Sequence, residues 1–308
     1  MEIEKKHQNI GIFGLGKIGK NITLNLINKK YNLILYNRSK GKYKGFKDIA
    51  ICSKSVGEFA FLLGKRKKKE KTIPIIIMAI SPDEPTNNAL KELSGLLARG
   101  SIIIDLSNSF YQNSIKNYEI LKKKGIHLLD AGCSGGRVEA LNGKMAMIVA
   151  GDKESFAKTE FLLRDLCSEN YTFINGSGAG HFAKIVNSAI EYGMMQSIGE
   201  GLKMLKEGPY KNVNIGKICT IWSENSIIRG HLLGLAAEAL KKDPNLSNTK
   251  SFVPDSGIVR YAIKTANAYS IPISAITTSV YERFNSRKKT KFSNKTVAAL
   301  LRELCDEV

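Results

Sequence analysis

Histidine is scarce in this chain, with four in 308 residues, and the five cysteines (Cys52, Cys133, Cys167, Cys219, Cys305) are an odd, scattered set without a CxxC pair. A histidine-rich metal centre, a structural zinc and a disulfide framework all need closer or paired ligands. No metal is therefore expected, and the thiols are read as reduced, in a cytoplasmic protein. No apolar run approaches the roughly 20 residues that cross a bilayer, so no membrane is expected either. The charged start at residues 1–8 leads at once into a strand-like segment. Acidic residues are also in deficit, 28 against 47 basic ones, for a formal net charge of +19. That balance raises nucleic acid as a partner. Yet the densest basic run, Lys65-Arg-Lys-Lys-Lys-Glu-Lys71, lacks interleaved aromatics, and lysine is spread over nearly every expected helix. The charge is read as a surface that attracts phosphorylated anions, with no nucleic-acid function. Internal repeats and low-complexity linkers are missing as well.

What remains is an ordinary globular composition, 43% hydrophobic and 24% charged, in a chain long enough for two domains. The segment Ile10-Gly-Ile-Phe-Gly14-Leu15-Gly16-Lys17-Ile18-Gly19 is a short apolar strand running into GxGxxG, and a helical pattern follows over residues 21–29. Strand, turn and helix stand in the order of a dinucleotide-binding fingerprint. Gly14 would make the tight turn, Gly16 would admit the pyrophosphate to the backbone, and Gly19 would let helix pack on strand. The phosphates would sit at the helix N-terminus, where free amides and the dipole favour anions. A second strand, Asn32–Tyr36, ends in Asn37, Arg38, Ser39 and Lys40. An acidic residue there would hold the ribose of NAD; its absence and the arginine predict NADP, with NAD the less favoured cofactor.

Strand and helix patterns then alternate. Strands are expected over residues 73–78, 101–105, 126–130, 144–150 and 171–174, and helices over 83–97, 112–124 and 153–167. Asn108 falls in the loop after a strand, on the side that faces the ligand crevice in open α/β sheets. Residues 131–136 read as a small-residue loop in which Ser134, Gly135 and Gly136 could hold a carboxylate or hydroxyl. From Gly178 the pattern is helical throughout, over residues 180–206, 213–220, 226–241, 256–268, 273–285 and 293–303. The fold class is thus an α/β Rossmann-type domain with a mostly parallel, doubly wound sheet, residues 1–177, followed by an all-α domain, residues 178–308.

The first of those helices carries the chemistry. Lys184 and Glu191 are seven residues apart, so at about 3.6 residues per turn they share a face, roughly 10 Å apart along the axis. Asn187 and Ser188 lie between them. A basic group, a carboxylate and small polar groups on one face suit proton transfer on a bound small molecule. An amphipathic core helix with a surface ion pair would give the same spacing.

Taken together, these stretches resemble the 6-phosphogluconate dehydrogenases, most closely the short bacterial form, in the β-hydroxyacid dehydrogenase superfamily. The resemblance runs over nearly the whole chain. It rests on residues 14–19, on Ser134-Gly-Gly136, and on Gly178-Ala-Gly-His-Phe-Ala-Lys184 continuing into Ile190-Glu-Tyr-Gly-Met-Met-Gln196. Ile221-Trp222, Ile227-Ile-Arg229, Asp255-Ser-Gly257 and Tyr281-Glu-Arg283-Phe add to it. The resemblance implies NADP-dependent oxidation of 6-phosphogluconate at its third carbon and loss of carbon dioxide to leave ribulose 5-phosphate. It implies Lys184 as the base and then the acid, and Glu191 as the group that protonates the first carbon of the enediol left by decarboxylation. Ser134, Gly135 and Gly136 would hold the carboxylate end, Asn108 would place substrate and nicotinamide, and Tyr192, Arg260 and Arg283 would grip the phosphate. A homodimer, or a dimer of dimers, packed through the helical domain is implied too.

The chain departs from the family pattern at four substrate positions. Asn187 stands where the family has histidine and Ser188 where it has asparagine. Ile258 and Ala262 replace a glutamate and a threonine. A non-decarboxylating 3-hydroxyacid dehydrogenase and a catalytically silent NADP-binding sensor are therefore carried as alternatives.

Overall fold

The computed structural model describes residues 9–64, 73–288 and 291–307. The basic run at 65–71 and the charged start at 1–8 lie outside the described residues. Contacts divide the chain into two compact units, Met1–Lys184 and Ile185–Val308.

The first unit is built on an eight-stranded sheet in the order β3-β2-β1-β4-β5-β6-β7-β8. Its strands are β1 (Asn9–Phe13), β2 (Asn32–Tyr36), β3 (Ile51–Cys52), β4 (Ile75–Met78), β5 (Ile102–Asp105), β6 (His127–Ser134), β7 (Ala146–Gly151) and β8 (Tyr171–Asn175). All neighbours pair in parallel except β6 and β7. Parallel strands need crossovers, supplied by α1 (Lys17–Asn28), α2 (Val56–Gly64), α3 (Glu84–Leu93) and α4 (Tyr111–Lys123), while α5 (Arg137–Asn142) and α6 (Lys153–Cys167) follow β6 and β7. Side chains alternate across each strand, which explains the continuous isoleucine runs. Ile10, Ile12, Ile75, Ile77, Ile102 and Ile104 join one core with Ile22, Leu26 and Leu162 of α1 and α6. Phe13, Ile76, Met78 and Ile103 join the other with Phe59, Leu90 and Leu121 of α2, α3 and α4. The sheet is doubly wound, as the sequence predicted. Its order reverses at β1 and β4, and the crevice outside their carboxyl ends is the place for a ligand.

Residues 131–134, expected as loop, are strand: β6 runs on to Ser134 and pairs antiparallel with β7, from Asp130↔Ala150 to Ser134↔Ala146. The small residues there serve a close helix approach described below. Three short elements left no readable pattern. β3 has two residues, α5 has six, and α2 is too uniformly apolar (Phe59-Ala-Phe-Leu-Leu63) to show a helical stripe.

The second unit is helical. The 29-residue α7 (Ala179–Glu207) enters it, followed by α8 (Ile215–Asn225), α9 (His231–Lys242), α10 (Ile258–Ala268), α11 (Ser274–Asn285) and α12 (Phe292–Glu307). Met195 and Leu202 of α7 pack with Cys219, Leu235, Leu240 and Leu300. A smaller cluster joins Ala189 and Tyr192 to Val259 and Val280. Helix α9 begins five residues later than expected, because Gly230 takes a φ of 153° and Arg229 closes a turn on Ser226. Among the described residues no helix is long and apolar enough to cross a membrane.

Candidate active site

Two of the three glycines of the β1–α1 turn are fixed by what surrounds them. Gly14 has a φ of 107°, and a Cβ on it would lie 2.4 Å from the Ala79 carbonyl oxygen. A Cβ on Gly19 would lie 2.0 Å from the Gly14 carbonyl oxygen, so α1 can only pack here without one. Gly16 has nothing within 4 Å, which leaves its backbone open to a ligand. The first turn of α1 holds no acidic side chain, so its amides and dipole favour an anion. A cavity of about 890 Å³ opens at this turn and is lined by residues 14–18, Asn37, Arg38, Ser39 and Lys42, with Asn108, Cys133 and Gly135 farther in. These residues fit a dinucleotide.

Asn37, expected at the cofactor, lines the cavity and also holds the turn. The Leu15 amide donates to Asn37 Oδ1 at 2.8 Å, and Asn37 Nδ2 donates to the Ser39 carbonyl at 2.9 Å. Asn37 is thereby a clamp that ties the glycine turn to the end of β2. Lys40 leans over the Tyr36 ring, 4.7 Å from its centroid, with its ammonium near the carbonyls of Asn37 and Ser53. Arg38 and Ser39 stay exposed at the rim. Lys42, Glu84 and Asn88 also line the cavity and were not foreseen. Lys42 stood within the basic stretch after β2, which was a usable signal.

Around Lys184 the geometry is tighter. Its ammonium donates to Ser134 Oγ at 3.0 Å. Asn108 adopts a left-handed conformation (φ 57°), and its Oδ1 accepts the Cys133 amide at 3.1 Å, which fixes the side chain against β6. Gly135 needs its φ of 112° to turn the chain out of β6. The Gly136 amide is already taken by Glu139 Oε2 at 2.6 Å, so it caps α5 and is not a free donor. Burial pushes the Cys133 thiol far up, which makes it an unreactive packing group.

Beneath α7 lie three buried groups that sequence reasoning did not single out: Asp105, Asp130 and His181. Asp130 accepts the amides of Gly178 (2.6 Å) and His181 (2.9 Å), closing the N-terminus of the helix. His181 Nε2 meets the Asp105 carbonyl at 3.1 Å, which can only accept, so Nε2 carries the proton. Its Nδ1 meets Ser114 Oγ at 2.7 Å. Asp105 Oδ1 accepts the Ser107 amide, but Oδ2 has no partner, and burial raises the carboxyl above its ordinary value.

In the helical unit Asn187 is exposed, Ser188 buried and Glu191 half-buried. Tyr192 is buried with its hydroxyl 3.1 Å from Ser256 Oγ. Arg283 is 3% exposed, lies 3.3 Å from the centroid of the Tyr192 ring, and donates to the Pro254 carbonyl at 2.7 Å. Arg260 is exposed and pairs with Asp255 at 2.6 Å. Both arginines, which the resemblance implies as phosphate ligands, thus also have partners within the chain. Ile258 and Ala262, the altered positions, pack against the Tyr192 cluster.

Two family models match the chain: the NAD binding domain of 6-phosphogluconate dehydrogenase over residues 9–176, and its C-terminal domain over residues 180–303. The Bacillus subtilis (strain 168) protein YqeC, provisionally assigned as a 6-phosphogluconate dehydrogenase, is 34% identical over 96% of this chain and 96% of its own length. The NAD(+)-dependent, decarboxylating 6-phosphogluconate dehydrogenase of the same organism is 29% identical over 94% of this chain. The solved Plasmodium falciparum 6-phosphogluconate dehydrogenase superposes with a TM-score of 0.79 over 90% of this chain, at 24% identity. The chain spans 64% of the length of that B. subtilis enzyme and 62% of the Plasmodium chain.

Proposed function

Because the chain belongs to the 6-phosphogluconate dehydrogenase family, a family of nicotinamide-dependent oxidoreductases, we propose that it oxidises 6-phosphogluconate, or a closely related sugar acid phosphate, with NADP. The product, a β-keto acid, loses carbon dioxide to give ribulose 5-phosphate. The observation that carries this reading is the Lys184 ammonium held 3.0 Å from Ser134 Oγ, at the end of the strand that leads from the cofactor crevice.

In this reading residues 1–177 bind the cofactor and residues 178–308 bind substrate and form a homodimer or a dimer of dimers, in the cytoplasm. Bound NADP supplies the hydride acceptor. Residues 14–19 face its pyrophosphate, and Arg38 with Ser39 and Lys42 meets the 2′-phosphate, which no carboxylate at residues 37–39 would repel. Lys184, in its neutral amine form, takes the proton from the substrate hydroxyl. As an ammonium it then polarises the new ketone, so that the electrons left by departing carbon dioxide are stabilised as an enolate. Glu191 protonates the enediol at the carbon that lost carbon dioxide, which becomes the first carbon of ribulose 5-phosphate. Ser134 and Gly135 hold the carboxylate end, Gly136 shapes that end of the pocket while its amide caps α5, Asn108 orients the reacting carbon, and Asn187 and Ser188 set which sugar acid is accepted. Arg283 retains N–H groups beyond the one given to Pro254, and with Arg260 and Tyr192 it takes the phosphate.

The commitment of both arginines to neighbours favours a second reading, a 3-hydroxyacid dehydrogenase that acts without decarboxylation on an unphosphorylated acid. A panel of sugar acid phosphates and simple 3-hydroxy acids, with NADP and with NAD, separates the two. The first reading expects carbon dioxide and NADPH in equal amounts from a phosphorylated acid. Reduced cofactor without carbon dioxide supports the second, and no turnover at high enzyme concentration leaves a silent NADP-binding protein.

A further inference from the structure

Strand β6 places alternate residues on one face, and three of them, Asp130, Gly132 and Ser134, meet α7 in turn. Asp130 accepts the amides of Gly178 and His181 at 2.6 and 2.9 Å. Gly132 lies so close beneath the helix that a Cβ on it would be 2.2 Å from the Gly180 carbonyl oxygen and 2.9 Å from Lys184 Cβ. Ser134 accepts from Lys184 Nζ at 3.0 Å. The approach is closed from the helix side as well, since a Cβ on Gly180 would be 2.4 Å from the carbonyl oxygens of Asp130 and Ile148.

An ordinary helix cap comes from the residue next to the first turn. Here the capping carboxylate comes from 48 and 51 residues upstream, on the strand that ends four residues later in the lysine's own hydrogen-bond partner. Cap and acceptor are thus parts of one rigid rod. Along a strand they are separated by about 13 Å at ~3.3 Å per residue, and the helix is pinned at both ends of that span. Sliding α7 by even one residue would break both amide bonds to Asp130 and drive a carbonyl against Gly132.

We propose that Asp130 is a positioning residue for Lys184, setting with Gly132 the register in which α7 delivers the Lys184 ammonium to Ser134. The inference rests on the reading of Lys184 as the proton-transfer group. Asp130 touches no reacting atom. Both carboxyl oxygens accept an amide, whereas an asparagine would turn an NH₂ group on one of the two.

Two substitutions with separate physical causes test it. Asp130→Asn removes one amide acceptor without changing size, and Gly132→Ala removes no polar group but forces the helix outward. Both are expected to lower kcat at least tenfold while NADPH affinity, read by fluorescence titration, stays within twofold. In both, the rate at which acetic anhydride labels Lys184, measured by peptide mass spectrometry relative to exposed Lys217, should change at least threefold. Lower melting temperature with kcat and relative labelling both within twofold of wild type would reduce Asp130 to a cap and overturn the proposal. If Asp130→Asn does not fold, Gly132→Ala alone decides by the same two readouts, and if neither folds, Ser134→Ala and Asp130→Glu are read in the same way. If wild type turns over no substrate, the functional reading fails, and the labelling ratio still tests the positioning.

Discussion

The β1–α1 turn and the arginines of the helical unit were both marked by the sequence as ligand-binding, and they differ in how much of their chemistry is committed within the chain. At the turn, the outer two glycines each answer to one steric demand, and the middle one is left open. In the helical unit, Arg283 is stacked on Tyr192 and bonded to Pro254, and Arg260 is paired with Asp255. A glycine reports a space that must stay empty, which one position in a motif can encode. A cation reports only a charge, and whether it remains available depends on neighbours far away in sequence. The turn is prepared for its ligand, whereas the arginines, in the proposed phosphate role, would have to share themselves between fold and substrate.

Removing the reacting group should give the largest effect and leave the turn untouched. Lys184→Met is expected to lower kcat by about 10³-fold, within the range for loss of a general acid–base group, with NADPH affinity unchanged in a titration. Residual turnover within tenfold of wild type would take Lys184 out of the mechanism. The comparison itself is sharpened next by Arg283→Met. If the arginine serves both fold and substrate, the KM for a sugar acid phosphate rises about tenfold or more, the loss of one charge-assisted contact of ~1.5–3 kcal/mol, and the melting temperature falls as well. A fall in melting temperature with KM unchanged would make it a packing residue and favour the unphosphorylated substrate. At the turn, Gly14→Ala places a side chain at φ 107° against the Ala79 carbonyl, so NADPH affinity should fall about tenfold, from strain of order 1–3 kcal/mol. Equal affinity in the two proteins would mean that the turn is looser than its contacts imply. Arg38→Asp should shift the NADP-to-NAD preference by about tenfold through repulsion of the 2′-phosphate, measured as a ratio of kcat/KM values. An unchanged ratio would sink that assignment.

The smallest effect concerns Asp105. Burial raises its carboxyl in the folded state above the unfolded value of 3.8. A raised folded value stabilises below the unfolded value, and that stability is lost as pH rises through the folded one. Asp105→Asn should therefore melt higher than wild type at pH 8, by about 2–4 °C for ~1 kcal/mol in a protein of this size, and the two should converge near pH 4. A constant difference across that range would mean that the carboxyl does not titrate with folding.

Much of the first unit was legible because its signals are local. The isoleucine runs of β4 and β5 and the glycine spacing of residues 14–19 need no distant partner to be read. The misread stretch at residues 131–134 shows the limit. Its small residues looked like a turn, yet Gly132 is small because Gly180 crosses it, 48 positions later. Asp130 and His181 escaped notice for the same reason, since a buried carboxylate and a buried histidine carry no periodic signature until the strand and helix that bracket them are in place. Asn37 was marked for the cavity it lines, but its hold on the turn escaped notice, because a short polar side chain after a strand can serve a ligand, its own turn or both.

The division between the two units falls inside α7, between Lys184 and Ile185, and not at a loop. That has a consequence for how such proteins exchange parts. A recombinant that joined this cofactor unit to a relative's helices at the compact boundary would splice a helix in mid-turn. Cut instead at Gly176 or Gly178, both with φ near 100°, the graft would import a foreign first turn of α7 onto a native β6. A working graft would therefore have to take both segments, Asp130-to-Ser134 and Gly178-to-Lys184, from one parent, like the two halves of a key and its ward.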